Sequence, residues 1–207
     1  MRIIAGALRG RRLAAPPGDA TRPTADRVRQ ALFDMLAHAP WARMGNGEDA
    51  VIGAHVLDAF AGSGALGLEA LSRGAAEAVF FETDVRARRA LAANVAACGI
   101  EARARVIAAD ATRPSAISPG GTACSLVLLD PPYVEAGIAA RAAAALAVAG
   151  WIAPGALIVI EVPGSPSPSR DGVSAAGSEI APGLGTPLAE RRHGAAKLLF
   201  FRAGAGG

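Results

Sequence analysis

The chain has 207 residues, a formal net charge of +3 and 52% hydrophobic residues. That length fits one domain with a substantial buried core and excludes a wholly disordered chain. Two cysteines, Cys98 and Cys124, and three scattered histidines exclude a disulfide scaffold and give no metal-ligand cluster. A reducing cytoplasm is the expected compartment.

The charge is unevenly placed. Residues 1–30 hold seven arginines (Arg2, Arg9, Arg11, Arg12, Arg22, Arg27 and Arg29) against Asp19 and Asp26, a local charge of +5, while the remainder is −2. Lys197 is the only lysine. A basic arm of this kind points to an anionic partner, with nucleic acid the leading choice. Its apolar stretch spans six residues, too short for a signal peptide.

In chain order, residues 1–22 read as extended and irregular, punctuated by Gly6, Gly10, Pro16, Pro17 and Gly18. A helix is predicted to start at Pro23 and Thr24. Val28, Ala31, Leu32, Met35 and Leu36 would form its apolar face, with Arg22, Arg27 and Arg29 near its N-terminal end. Residues 40–53 read as a loop. From Val56 onward strands and helices alternate. HVLDAF, AVFFET, ARVIAAD, CSLVLLD and ALIVIEV read as strands; ALGLEALSRGA, residues 85–98 and residues 137–149 read as helices. Uniformly apolar strands separated by helices predict a doubly wound α/β fold with a parallel sheet covered on both faces. Residues 142–160 carry no charge, but Gly150 and Pro154-Gly155 divide them into a helix and a buried strand, not a membrane span. Residues 163–187 read as a Gly/Pro/Ser-rich loop. LAERRHGAAKLLFFR reads as a closing hairpin with its turn near residues 191–194.

Two motifs carry chemistry. The first runs from Asp58 to Gly67 at a strand–helix junction, where Gly62, Gly64 and Gly67 satisfy G-x-G-x-x-G. Glu82, 20 residues after Gly62 and at the end of the next strand, suits ribose hydroxyls. NAD, FAD and S-adenosylmethionine all fit so far. Asp58 favours the last, because a carboxylate at the turn entry suits a methionine ammonium and repels a pyrophosphate. Asp110, ending the third strand, is placed to accept from an adenine amine or to cap residues 111–116.

The second motif is Asp130-Pro131-Pro132-Tyr133, ending the fourth strand. Ligands of open α/β sheets bind beyond the carboxyl ends of the strands, so Asp58, Glu82, Asp110 and Asp130 are expected in one crevice. Asp130 and the Pro131 carbonyl offer two acceptors for an NH2 group. Pro131 fixes φ and cannot itself donate. Tyr133 offers a face on which a base can stack.

With the D-x-F-x-G-x-G turn and DPPY in place, the chain resembles the amino-methyltransferases that use S-adenosylmethionine. Within them it resembles the bacterial 16S ribosomal RNA guanine-N2 methyltransferase family. The matching residues are MRIIAG (1–6), RGRRL (9–13), TRPTADRVRQALF (21–33), VLDAFAGSGALGLEALSRGA (56–75), Glu82, Asn94, Asp110 and LLDPPY (128–133). Residues 1–150 match well and the tail less so, with His193 standing where relatives tend to carry an aromatic.

The resemblance implies a seven-stranded, mostly parallel Rossmann-like methyltransferase sheet with an antiparallel C-terminal strand. It divides the chain into a basic arm and helix over residues 1–40 and a methyltransferase domain over 51–207. It implies S-adenosylmethionine against Asp58, Ala59, Gly62, Gly64, Glu82, Asp110 and Ala111, and chemistry at Asp130, Pro131, Pro132 and Tyr133. RNA would meet Arg2, Arg9, Arg11, Arg12, Arg22 and Arg27. The expected partner is 16S ribosomal RNA or the assembling small subunit, with no metal, no membrane and a monomeric protein. The rivals are an amine methyltransferase acting on DNA adenine or a protein glutamine amide, an NAD-dependent oxidoreductase, and a non-catalytic RNA-binding module.

Overall fold

The computed structural model describes residues 1–15, 23–43, 47, 49–132, 137–164 and 184–204. Seven strands form one sheet in the order β3-β2-β1-β4-β5-β7-β6. These are β1 (His55–Asp58), β2 (Glu77–Phe81), β3 (Ala104–Ile107), β4 (Cys124–Leu129), β5 (Ile152–Pro163), β6 (Ala189–His193) and β7 (Ala196–Arg202). The first five run parallel. β7 pairs antiparallel with β5 and with β6, so the expected closing hairpin forms, its turn at Gly194-Ala195.

Among the described residues four α-helices cover the sheet: α1 (Pro23–His38), α2 (Ala65–Ser72), α3 (Val85–Cys98) and α4 (Ile138–Val148). Leu32, Phe33, Leu68, Leu91, Phe80 and Phe200 belong to the core on one face. Leu57, Phe81, Val127, Leu146, Trp151 and Phe201 fill the other. Neighbouring residues of one strand thus point to opposite cores, which is why the strands read as unbroken apolar runs. The uncharged run through residue 160 resolves into the end of α4 and the buried β5.

The N-terminal arm departs from its reading as extended and irregular. Residues 1–13 fold back on themselves, with a bridge between Arg2 and Arg12 and hydrogen bonds joining Ile3 to Arg11 and Leu13 to Met1. This hairpin is fastened to α2. The Glu69 carboxylate accepts from the Ile4 amide at 2.8 Å and the Ala5 amide at 3.0 Å. Ser72 Oγ accepts from the Leu8 amide at 2.9 Å and donates to the Ala5 carbonyl. The arm lies so close to α2 that a Cβ at Gly6, whose φ is +80°, would stand 1.9 Å from the Ser72 carbonyl oxygen. Only glycine fits there.

Glu69 is fully buried and also pairs with Arg73 at 2.8 Å and with Arg29 at 3.6 Å. Arg29 is buried too, at 3% exposure, and donates to the Arg2 carbonyl at 2.6 Å. Although it is one of the arm's seven arginines by sequence, it is therefore an internal anchor. Removing one partner of a buried ion pair strands the other, at about 3–5 kcal/mol. Glu69→Ala is accordingly expected to remove a large part of the roughly 5–15 kcal/mol that holds a domain folded. Urea unfolding checks this, and Glu69→Gln, which can still accept from the arm, should lose less.

Candidate functional site

β1 ends in Asp58 and β2 is followed by Glu82, while Asp110 lies three residues beyond β3 and Asp130 immediately follows β4. All four therefore stand at or just beyond the carboxyl ends of parallel strands. Each carries a different environment.

Asp58 is 1% exposed. Its Oδ2 accepts from the Gly67 amide at 2.9 Å, whereas Oδ1 is buried with no hydrogen-bond partner. Burial pushes its pKa up to about 7, the Gly67 bond opposes this, and Glu82 adds to it. A buried, unpartnered carboxylate oxygen is costly unless a ligand supplies a donor.

Glu82 braces the turn. Its carboxylate accepts from the Gly62 amide at 2.7 Å and the Asp84 amide at 2.8 Å. The three glycines divide their work. A Cβ on Gly62 would meet open space, while one on Gly64 would strike Leu91 and one on Gly67 would strike Phe80. Gly64 and Gly67 thus serve helix–sheet packing, and Gly62, at φ +54°, serves the open side. The Ala59 amide donates to the Leu128 carbonyl, tying the turn to β4.

Asp110 is exposed, and its Oδ1 accepts from both the amide and the hydroxyl of Thr112. The Thr112 bonds hold its pKa below the ordinary value. No helix forms over residues 111–116, so this is a turn cap instead of the helix cap that the sequence allowed. Ala111 beside it is buried.

Asp130 is half-buried. Burial, then Glu161 and then Asp58 push its pKa up to about 8. Pro131 is buried and Pro132 exposed. Tyr133 lies outside the described residues, as does Arg22. Glu161 escaped the sequence reading, although an acid closing the apolar run ALIVIEV is the same signal that singled out Asp58 and Asp130. The register pairs Leu129 with Ile160, which brings the two acids onto neighbouring strand ends.

Asn94, matched only by resemblance, proves to be a strut. It is buried on α3, accepts from the Ala14 amide at 2.7 Å, and donates to the carbonyls of Ala14 and Ser63 at 3.0 and 2.9 Å. One side chain thus holds the end of the arm against the glycine turn. Arg2, Arg9, Arg11, Arg12 and Arg27 are exposed. Among the described residues no helix is long and apolar enough to cross a membrane, and no cluster of three or more His, Cys, Asp or Glu could hold a metal.

A seven-stranded doubly wound sheet with a glycine turn and strand-end carboxylates defines a Rossmann-like methyltransferase. A family model described as conserved hypothetical protein 95 matches residues 1–173. Ribosomal RNA small subunit methyltransferase D of Escherichia coli K12 is 40% identical over 161 residues, covering 78% of this chain and 74% of that protein. Its namesake in Haemophilus influenzae is 36% identical over 163 residues, covering 78% of each. The solved structure of yhhF from Escherichia coli, described as a candidate methyltransferase, superposes with a TM-score of 0.74 at 32% identity, covering 100% of this chain and 99% of that one. The chain belongs to the family of ribosomal RNA small subunit methyltransferase D.

Proposed function

We propose that the protein transfers a methyl group from S-adenosylmethionine to the exocyclic N2 amine of a guanine in 16S ribosomal RNA. The observation that carries this reading is the pairing of Asp130, at the head of a Pro-Pro turn, with the partnerless Oδ1 of Asp58 on the adjacent strand end. One acid suits a neutral amine and the other a cation.

The residues fit the cofactor. Asp58 Oδ1 would accept from its ammonium, Glu82 from ribose hydroxyls and Asp110 from the adenine amine. The open side of Gly62 leaves room for close approach, with Ala59, Gly64 and Ala111 shaping the same turn. When bound, S-adenosylmethionine supplies a methyl group already activated on a sulfonium.

The protein's own work is then positioning and electrostatics. A guanine amine is a weak nucleophile because its lone pair is delocalised into the ring. Hydrogen bonds from the NH2 to the Asp130 carboxylate and the Pro131 carbonyl orient it and favour positive charge on nitrogen. Methyl transfer leaves positive charge on the nitrogen, which then sheds one proton, and burial makes the ionised Asp130 carboxylate a stronger acceptor for the NH2 than an ordinary aspartate. Tyr133 would stack on the base once it has left its own stack, with Pro132 stiffening the loop between them.

Arg2, Arg9, Arg11, Arg12, Arg22 and Arg27 would contact phosphates of 16S ribosomal RNA, free or in the assembling small subunit. The reading has the protein acting as a monomer in the cytoplasm. Replacing Arg9 and Arg12 with glutamine is expected to weaken RNA binding and to lower the slope of log K against log salt by about two. A salt titration of RNA affinity checks this, with S-adenosylmethionine affinity as the control. Salt-independent binding by the wild type would contradict the role of the arm.

A further inference from the structure

A groove of about 530 Å3 lies between the arm hairpin, α1 and the β6–β7 hairpin, within the roughly 300–1,000 Å3 range of ligand pockets. It is separate from the strand-end site, since none of Asp58, Glu82, Asp110 and Asp130 lines it. Arg2 and Arg9 reach it from the arm, Arg27 from α1 and His193 from the end of β6. Its two acids are already engaged. Asp26 pairs with Arg29 at 3.0 Å, and Asp34 accepts from Gln30 at 2.6 Å and lies 3.6 Å from Arg73. Arg2, Arg9 and Arg27 form no ion pair among the described residues. The groove therefore carries net positive charge and an imidazole.

Topology places this groove near the chemistry. β7 runs antiparallel to β5 with Ala196 opposite Pro163, so the turn after His193 stands at the carboxyl end of β5. Asp130 leaves β4 at that same edge, and β4 and β5 are neighbours.

We propose that this groove seats a single-stranded stretch of RNA flanking the target nucleotide, with phosphates on Arg2, Arg9 and Arg27 and one unpaired base against the His193 ring. The proposal rests on the ribosomal RNA reading above and deepens it: three arginines which that reading gives to phosphates gather around one groove, and His193, to which it gives no role, joins them as a stacking residue. An amine must leave its base stack to be methylated, so its neighbours lose stacking partners as well. Arginine forks suit their phosphates, and a flat imidazole suits an unstacked base.

The test uses the full-length protein and 16S ribosomal RNA from a strain lacking this gene. Arg27→Glu and His193→Ala are expected to raise KM for RNA about tenfold each, without a matching change in Kd for S-adenosylmethionine. His193→Phe should recover most of the loss, because it restores a stacking face without the imidazole's hydrogen bonds. Arg105→Glu, an exposed arginine on β3 at the far edge of the sheet, serves as the control. A labelled single-stranded RNA octamer should bind more tightly than the same sequence as a duplex, with the difference shrinking in His193→Ala. If the wild type methylates RNA while Arg27→Glu and His193→Ala leave KM unchanged, the groove is refuted together with the phosphate contact of Arg27, and the reading as a ribosomal RNA methyltransferase survives. If the wild type binds S-adenosylmethionine but neither binds nor methylates RNA, both are refuted. Loss in His193→Ala that phenylalanine does not restore overturns the stacking contact.

Discussion

Asp130→Ala is expected to lower turnover on ribosomal RNA by roughly 10²–10³-fold, the scale set by removing one preorganised group that stabilises developing charge. S-adenosylmethionine affinity should change little by comparison. The asymmetry follows from position. Asp130 leads into the Pro-Pro turn, while the partnerless oxygen proposed to meet the cofactor's ammonium belongs to Asp58. Single-turnover kinetics and equilibrium cofactor binding, measured on the same variant, separate the two. Comparable losses in both would place Asp130 in the cofactor site instead.

Asp58→Asn is expected to act in the opposite sense on affinity and on stability. Asparagine can still accept from the Gly67 amide, so the turn persists, but the charge proposed to meet the cofactor's ammonium is gone. Truncating one partner of a buried charged hydrogen bond costs about 2–5 kcal/mol. S-adenosylmethionine affinity should fall accordingly, by roughly 30-fold or more. Stability moves the other way. The Asp58 carboxyl titrates at an ordinary 3.8 when unfolded and at about 7 when folded. The folded protein therefore binds more protons between those values, and its stability declines as pH rises through that window. Asp130, raised to about 8, carries the decline about one unit further.

The melting temperature of the ligand-free protein should thus fall by several degrees (~4 °C or more) between pH 5.5 and 8.5. The Asp58→Asn curve should be flatter. Cofactor binding should strengthen over the same range, because ionised carboxylates hold a cation better. A wild-type melting temperature that rises with pH, or an Asp58→Asn variant with undiminished cofactor affinity, would contradict this account of the site.

The parts of this design that were legible in the sequence are those encoded locally. The glycine turn, the acids ending apolar strands and the DPP segment each lie within a few residues, and period and spacing reveal them. The helix at Val85–Cys98 was bounded correctly because Asp84 caps it and Gly99 ends it in a left-handed conformation. What escaped depends on partners far apart in sequence. The arm looked irregular because its fastening residues, Glu69 and Ser72, lie more than 60 positions away. Arg29 looked like part of a basic surface because nothing near it in sequence reveals that Glu69 will meet it in the core. Glu161 gained its meaning only from the register of β5 against β4.

The central claim meets its most direct test in methyl transfer from labelled S-adenosylmethionine, followed by nucleoside analysis of the acceptor. Small ribosomal subunits, naked 16S RNA, duplex DNA and a protein extract, all from a strain lacking this gene, would be offered side by side. The account predicts label in RNA, recovered as N2-methylguanosine, with none in DNA or protein. Label in DNA or protein, or in RNA at a position other than the guanine amine, would contradict it.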